Sequence, residues 1–321
     1  MVISAMGWMR APMQDPMELC EQAVQSYGTD PARSAELFRQ AAEAGSPNGY
    51  FGLAEMMLNG VGVPQDVAGA VELYTVAAEA GHPPSMFRLG SVCTGAYGTP
   101  EDPEGAKMWF ERAAEAGMPE AFPEIAGIYM YGYGTAQDPV AAYGWYRKAA
   151  DAGDPLSMFK VGYMCAEGVG TERDMDEAVR MFRISAMAGV PESQFKMASL
   201  TAEGVVPGGA VMAAQWYDQA ASNGFAPAKF NLATMYYEGE GVEKDLDRAF
   251  DLYSEVAETG DGDALFMVGR MYMEGLGTEK DAGRGFEFLG RAAAAGNTMA
   301  QQIVQDIRRR QNTQFVRIDG L

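Results

Sequence analysis

Residues 228–260 read AKFNLATMYYEGEGVEKDLDRAFDLYSEVAETG, and this stretch decides the fold. Two apolar patterns flank a glycine-rich turn. The first runs through Leu232, Ala233 and Tyr236, and the turn is Gly239-Glu-Gly241. The second begins behind Asp245 and spaces Ala249, Tyr253 and Ala257 four residues apart, one face of a helix of 3.6 residues per turn. A carboxylate ahead of a helix accepts from the free N–H groups of the first turn and complements the dipole. A glycine behind it, here Gly260, tolerates the left-handed conformation that ends a helix. The segment therefore spells helix, connector, helix.

The same glycine recurs at Gly45, Gly81, Gly117, Gly153, Gly189, Gly224, Gly260 and Gly296, at intervals of 36, 36, 36, 36, 35, 36 and 36 residues. A fixed period of this size is the signature of a repeat array. The carboxylate recurs as Asp30, Asp66, Asp102, Asp138, Asp174, Asp245 and Asp281. The second-helix stripe reads Ala70, Leu73, Tyr74, Ala77, Ala78, then Ala106, Trp109, Phe110, Ala113, Ala114, with its large-aromatic column continuing through Phe182, Tyr217 and Tyr253. Pro47, Pro83, Pro119, Pro155 and Pro191 follow the closing glycine by two residues and suit the first turn of the next helix. The Gly-x-Gly turns at Gly60, Gly132, Gly168, Gly239 and Gly275 recur with no strand before them, so they are connectors and not phosphate loops.

These motifs, in the unit Leu232, Tyr236, Gly239, Gly241, Asp245, Ala249, Tyr253, Ala257, Gly260, resemble the Sel-one-like repeat family, a relative of the tetratricopeptide repeat. The resemblance covers roughly residues 17–311. It implies an all-α, right-handed superhelix of about eight antiparallel helix pairs, with a concave and a convex face. It also implies an adaptor role, since members commonly assemble signalling and macromolecular complexes. Residues 1–16 are expected as a mobile tail and 17–45 as a divergent first hairpin. Seven repeats fill 46–296, a capping helix occupies 297–311 around Ile303, Val304 and Ile307, and a tail runs over 312–321. Arg308, Arg309 and Arg310 favour a helix C-terminus, with a nucleic-acid contact as the alternative.

Two repeats depart from the pattern. The fifth is one residue short and carries Gly209 at the aspartate position, which removes the cap and loosens the connector. It reads either as a tolerated deletion or as a change of curvature. The third carries Pro123 near the start of its first helix, at small cost so close to the end.

Composition narrows the function. The chain has 24 Lys plus Arg against 44 Asp plus Glu, a net charge of −20. Such a surface repels phosphate backbones and anionic lipid, and it speeds encounter with cationic partners. The expected partner is a protein or peptide, favoured if basic, with no nucleic acid, no membrane and no cofactor; oligomeric state stays open. The N-terminal MVISAMGWMR lacks the basic start and apolar run of a signal peptide, so a cytoplasmic location is expected, with the periplasm second. Cys20, Cys93 and Cys165 make an odd count, and Cys93 and Cys165 stand two repeats apart, about 20 Å on ordinary interhelix spacing, so both read as small buried apolar residues.

The candidate partner-binding residues fall in three sets. Phe87, Phe159, Phe195, Phe230 and Phe266, together with Phe51, hold one position of the first helix; they either pack or line the groove. Glu167, Glu203, Glu238 and Glu274 make an acidic column at the ends of the same helices, either a solvated edge or a ladder for a basic segment. Tyr131 and Tyr133 lack a core assignment and are candidate anchors. Catalysis has little to work with. His82 is the only histidine, in a connector expected to be exposed, so no zinc cluster or nucleophile–base set emerges and no catalytic residue is assigned. The function expected is a non-enzymatic scaffold binding its partner on the concave face. One alternative is an acidic inhibitor or immunity protein for a basic effector. Another is hydrolysis of cell-wall-like or β-lactam compounds, as in cysteine-rich relatives whose paired cysteines this chain lacks.

Overall fold

A computed structural model describes residues 15–318, with side chains through Ile307 and at Arg309. Among these residues the chain forms seventeen helices and no strand. The first are α1 (Pro16–Ser26), α2 (Pro31–Glu43), α3 (Pro47–Asn59), α4 (Val67–Glu79), α5 (Pro83–Cys93) and α6 (Pro103–Glu115). Next come α7 (Ala121–Tyr131), α8 (Pro139–Asp151), α9 (Pro155–Glu167), α10 (Met175–Met187), α11 (Pro191–Ala202) and α12 (Gly209–Ser222). Then follow α13 (Ala226–Glu238), α14 (Leu246–Ala257), α15 (Gly262–Glu274), α16 (Ala282–Ala294) and α17 (Thr298–Ile318). The all-α repeat fold expected from the period is the fold observed.

The helices fall into two compact units, residues up to Ser157 with 169–172, and residues 158–168 with those from Arg173 onward. In the first, α1 to α8 pack successively, each against its neighbours in the chain. The second does the same from α10 to α17.

All seven aspartates cap as the sequence requires. Each accepts a backbone N–H from the first turn of α2, α4, α6, α8, α10, α14 or α16. Each such cap contributes roughly 1 kcal/mol. The fifth repeat lacks one. There α12 starts at Gly209 behind Gly208, with no side-chain cap, and Val206 is pressed into the core of the connector instead.

The Gly-x-Gly connectors need their second glycine for a reason beyond its positive φ. A Cβ on Gly170 would stand 2.0 Å from the Pro139 carbonyl oxygen, at the start of the preceding repeat's second helix. Gly62 and Gly277 meet Pro31 and Leu246 in the same way. The connector thus clamps one repeat onto the last, and only a residue without a side chain fits.

The core is made by the columns read from the sequence. Tyr74, Phe110, Tyr146, Phe182, Tyr217 and Tyr253 are buried among alanines of both helices, and Met164, Met235 and Met271 fill gaps between them. Each large side chain so buried contributes roughly 1.5–3 kcal/mol. Cys165 is buried as expected, whereas Cys93, expected buried, is half-buried like Cys20, and no disulfide joins any of them.

Three further expectations need correction. His82 is not exposed: it is half-buried as the residue ahead of α5, its Nδ1 2.9 Å from Ser85 Oγ and its Nε2 3.0 Å from Asn48 Oδ1. The first helix starts at Pro16, capped by Asp15, so these two residues do not belong to a tail; a tail over 1–14 lies outside the described residues. The last helix does not stop at 311 but runs to Ile318, because no glycine or proline interrupts residues 298–318. The side chains of Arg308 and Arg310 and residues 319–321 are also outside the described set.

Candidate functional site

The outward stripe of each first helix is set by helical spacing. Positions i, i+4 and i+8 share a face. In the second unit this stripe reads Phe159-Tyr163-Glu167 on α9, Phe195-Ser199 on α11 with Glu203 capping its end, Phe230-Thr234-Glu238 on α13 and Phe266-Arg270-Glu274 on α15. Helical spacing therefore puts the phenylalanine and the glutamate of each of these first helices on one side of that helix.

The phenylalanines have a packing job. Phe51 meets Tyr74, Phe87 meets Phe110, Phe159 meets Phe182, Phe195 meets Tyr217 and Phe230 meets Tyr253, with centroids 5.2–5.9 Å apart and planes inclined by 45–68°. Such tilted pairs add about 0.5–1.5 kcal/mol each. All five remain half-exposed along one edge, whereas Phe266 is 7% exposed and spent on the core.

The four glutamates are exposed. Glu274 is not free, because Arg270 Nη2 lies 3.3 Å from its Oε1. Glu167, Glu203 and Glu238 have no ion-pair partner among the described residues. They sit at helix C-termini, where a negative charge is disfavoured by the dipole.

In the first unit the two tyrosines part company. Tyr131 is 75% exposed at the end of α7. Tyr133 is half-buried against the core and points its hydroxyl at Glu101 Oε2, 3.5 Å away. It occupies the middle position of the Gly-x-Gly turn, as do Val61 and Leu276, which also pack inward. That recurrence was the signal that assigns Tyr133 to packing.

Sequence reading also missed a groove in this unit. Its walls are Phe87, Pro119, Pro123, Ala149 and Ala152, and its rim carries Glu120, Glu124 and Asp154; the volume is about 500 Å³. Crowding withholds water from the Glu124 carboxyl and raises its pKa, although the side chain stays open to solvent. The signal available was the gap in the phenylalanine column, where the third repeat has Pro123. Pro123 also explains why α7 starts two residues later than its sibling helices: it then falls in the first turn, where a missing N–H leaves no bond unmade.

Beside the groove, Arg88 grips Glu55 with two bonds (Nε to Oε1 2.6 Å, Nη2 to Oε2 3.0 Å), and the Tyr74 hydroxyl donates to the same carboxylate at 2.5 Å. This network is internally satisfied and leaves no proton donor or nucleophile poised for a substrate. Among the described residues no group of three or more His, Cys, Asp or Glu is placed to hold a metal ion. No helix among them is long and apolar enough to cross a membrane.

Comparison with known proteins agrees with this geometry. A Sel1 repeat protein from Oxalobacter formigenes superposes with a TM-score of 0.71 at 25% identity, over 96% of this chain and 97% of that one. A protective antigen of uropathogenic Escherichia coli strains displaying an SLR fold superposes with a TM-score of 0.60 at 24% identity, over 92% of this chain and 73% of that one. No curated protein matches by sequence. The Sel1 repeat model matches residues 25–46, 47–82, 83–118, 125–154, 155–190, 191–225, 226–261 and 262–297. Sel1 repeat proteins are generally non-catalytic scaffolds that mediate protein–protein interactions. With matches over nearly its whole length, the chain belongs to the Sel1 repeat family.

Proposed function

We propose that this chain is a non-enzymatic scaffold that holds a partner protein or peptide along the face formed by the first helices of its repeats. One observation carries the reading. On α9 and α13, and on α11 with its C-cap Glu203, a half-exposed phenylalanine and an unpaired glutamate lie on the same side of the helix. Aromatic edges supply apolar contact at low entropic cost, and free carboxylates supply charge selection. The Lys160 ammonium lies 5.8 Å from the Phe159 ring centroid, and each stripe itself runs from an apolar end to an acidic one. A partner segment with an apolar anchor followed by basic residues complements that order. The net charge of −20 favours the encounter.

Affinity capture from native lysate at low and high salt, followed by mass spectrometry, tests this. The expected result is one stoichiometric protein retained by the wild-type chain and lost when Glu167, Glu203 and Glu238 are changed to lysine. Capture of no partner by the wild-type chain sinks the scaffold reading. Retention by the charge-reversed chain removes the glutamates from the site and leaves the aromatic edges.

A further inference from the structure

The groove beside Pro123 has a counterpart three periods along the chain. There the lining includes Phe195, Phe230, Val256 and Thr259 with two carboxylates, Asp261 and Asp263, and the volume is about 230 Å³. The two sites are built from the same positions of the repeat, so their differences isolate what the first has become. Pro123 stands where the other has Phe230, Ala149 where it has Val256, and Ala152 where it has Thr259. Each replacement removes bulk, and the volume rises to about 500 Å³. Glu120 replaces Pro227 and Glu124 replaces Asn231, while Asp154 matches Asp261; the second site's Asp263 has no carboxylate counterpart in the first and accepts from the Asn297 amide. With Glu120, Glu124 and Asp154 against Asp261 and Asp263, the widened site is also the more acidic one.

Its charges are available. Glu120 and Glu124 have no ion-pair partner among the described residues. Asp154 spends one oxygen on the α9 N-terminus, accepting from the Ser157 N–H at 2.8 Å, and keeps the other. No lysine or arginine lines the groove. The apolar floor of Phe87, Pro123, Ala149 and Ala152 excludes a bare metal ion or a small polar anion as a good fit, and the carboxylates oppose an anionic or purely apolar occupant.

We infer that this groove receives a single basic side chain, lysine or arginine, from the partner protein. Its aliphatic stem lies on Phe87 and Pro123 and its cationic head reaches Glu120, Glu124 and Asp154. Long basic side chains bury their methylenes against apolar surface while the head stays among charges and water. Bringing a cation into the groove restores electrostatic balance to the crowded Glu124 carboxylate. The inference rests on the scaffold reading and adds to it a first-unit anchor point, separate from the glutamates of the second unit.

The test uses the full chain with 13C-methyl alanine, whose Ala149 and Ala152 methyls report occupancy. The probes are Nα-acetyl-lysine methylamide and its uncharged isostere Nα-acetyl-norleucine methylamide at millimolar concentration. Saturable shifts of both methyls with the lysine probe alone, lost in Pro123→Phe and weakened several-fold in Glu124→Gln, are expected. Pro123→Phe restores the residue found in sibling repeats, and an unchanged alanine spectrum elsewhere verifies its fold. Equal shifts with the norleucine probe, no shifts at all, or undiminished lysine binding by Pro123→Phe overturn the inference. Partner capture separates this failure from the broader one. A wild-type chain that captures a partner while giving no lysine shift loses the groove but keeps the scaffold function.

Discussion

The ring of Phe182 lies against Gly162 so closely that a Cβ there would stand 2.8 Å from two ring carbons and 3.2 Å from the Ala178 carbonyl oxygen. The same relationship joins Phe110 to Gly90. Where the second helix carries tyrosine, at Tyr74, Tyr146, Tyr217 and Tyr253, the first-helix position that matches Gly90 and Gly162 holds alanine, at Ala54, Ala126, Ala198 and Ala233. The hydroxyls of Tyr74, Tyr217 and Tyr253 meet a polar side chain of the first helix, Glu55, Ser199 or Thr234, whereas the residue behind Ala126 is Gly127. Two packing solutions therefore recur along the chain, phenylalanine with glycine and tyrosine with alanine, the latter joined by a polar partner at Tyr74, Tyr217 and Tyr253.

Gly162→Ala is accordingly an overpacking change, expected to destabilise by roughly 1–3 kcal/mol. Helix propensity alone favours alanine by up to about 1 kcal/mol, so the sign of the effect separates the two influences. Adding Phe182→Leu to Gly162→Ala is expected to cost less than the sum of the single changes. Urea denaturation of the four chains closes the cycle, and strict additivity would remove the steric account.

Asp245→Ala is expected to cost about 1 kcal/mol, since Asp245 Oδ1 accepts the Arg248 N–H at 3.0 Å. The natural experiment is already in the chain at α12, which starts without a side-chain cap. Hydrogen exchange is expected to show weaker protection in the first turn of α12 than of α14. Equal protection there would mean that the buried Val206 compensates fully for the missing carboxylate.

His82 gives a pH dependence of definite sign. The Asn48 carbonyl oxygen requires a donor at Nε2, so in the neutral ring Nδ1 accepts from the Ser85 hydroxyl. Burial lowers its pKa below the ordinary value. Above about pH 6.5 both folded and unfolded chains hold the ring neutral and stability is complete. As pH falls through that value the unfolded chain takes up a proton that the folded chain refuses, and stability declines until the lowered folded pKa is passed. Thermal melts from about pH 7.5 to 5.5 should show this step in the wild type and its loss in His82→Gln. An unchanged step would assign it to other groups.

The glutamate column is not uniform, and stability can show it. Glu274→Lys places a second cation beside Arg270, whereas Glu167→Lys, Glu203→Lys and Glu238→Lys replace a charge that the helix dipole disfavours. The first is expected to lower the melting temperature, and the other three to leave it unchanged or raise it slightly. A drop for all four would show that the column has a structural role in place of a binding one.

Much of this molecule was legible from spacing. Caps, closing glycines and the aromatic columns obey local rules, so Asp245, Gly260 and Tyr253 could be placed before any coordinate was known. What spacing hid were relations between columns. Arg270 neutralises Glu274 through an i,i+4 pair that is lost when each column is read alone. Tyr133 looked unassigned until its turn position was compared with Val61 and Leu276. The groove depends on three positions losing bulk together, at Pro123, Ala149 and Ala152, and no single column reveals a cavity.

Glu124 supplies the last test, because a binding carboxylate held in a crowded groove should cost the free protein stability. Its pKa is raised above the ordinary glutamate value of about 4.3 by loss of hydration. Between the unfolded value and the raised folded one, the folded chain keeps a proton that the unfolded chain has released. Stability therefore falls as pH rises through this window and stays at the lower level at neutral pH. Glu124→Gln removes the charge while keeping the shape. The variant should melt above the wild type at pH 7, with the difference shrinking to nothing as pH falls below the glutamate range. A basic probe bound in the groove should close the same gap from the other side, stabilising the wild type and not the variant. If Glu124→Gln instead melts lower at pH 7, the carboxylate has a structural partner and the groove is not poised for a cation.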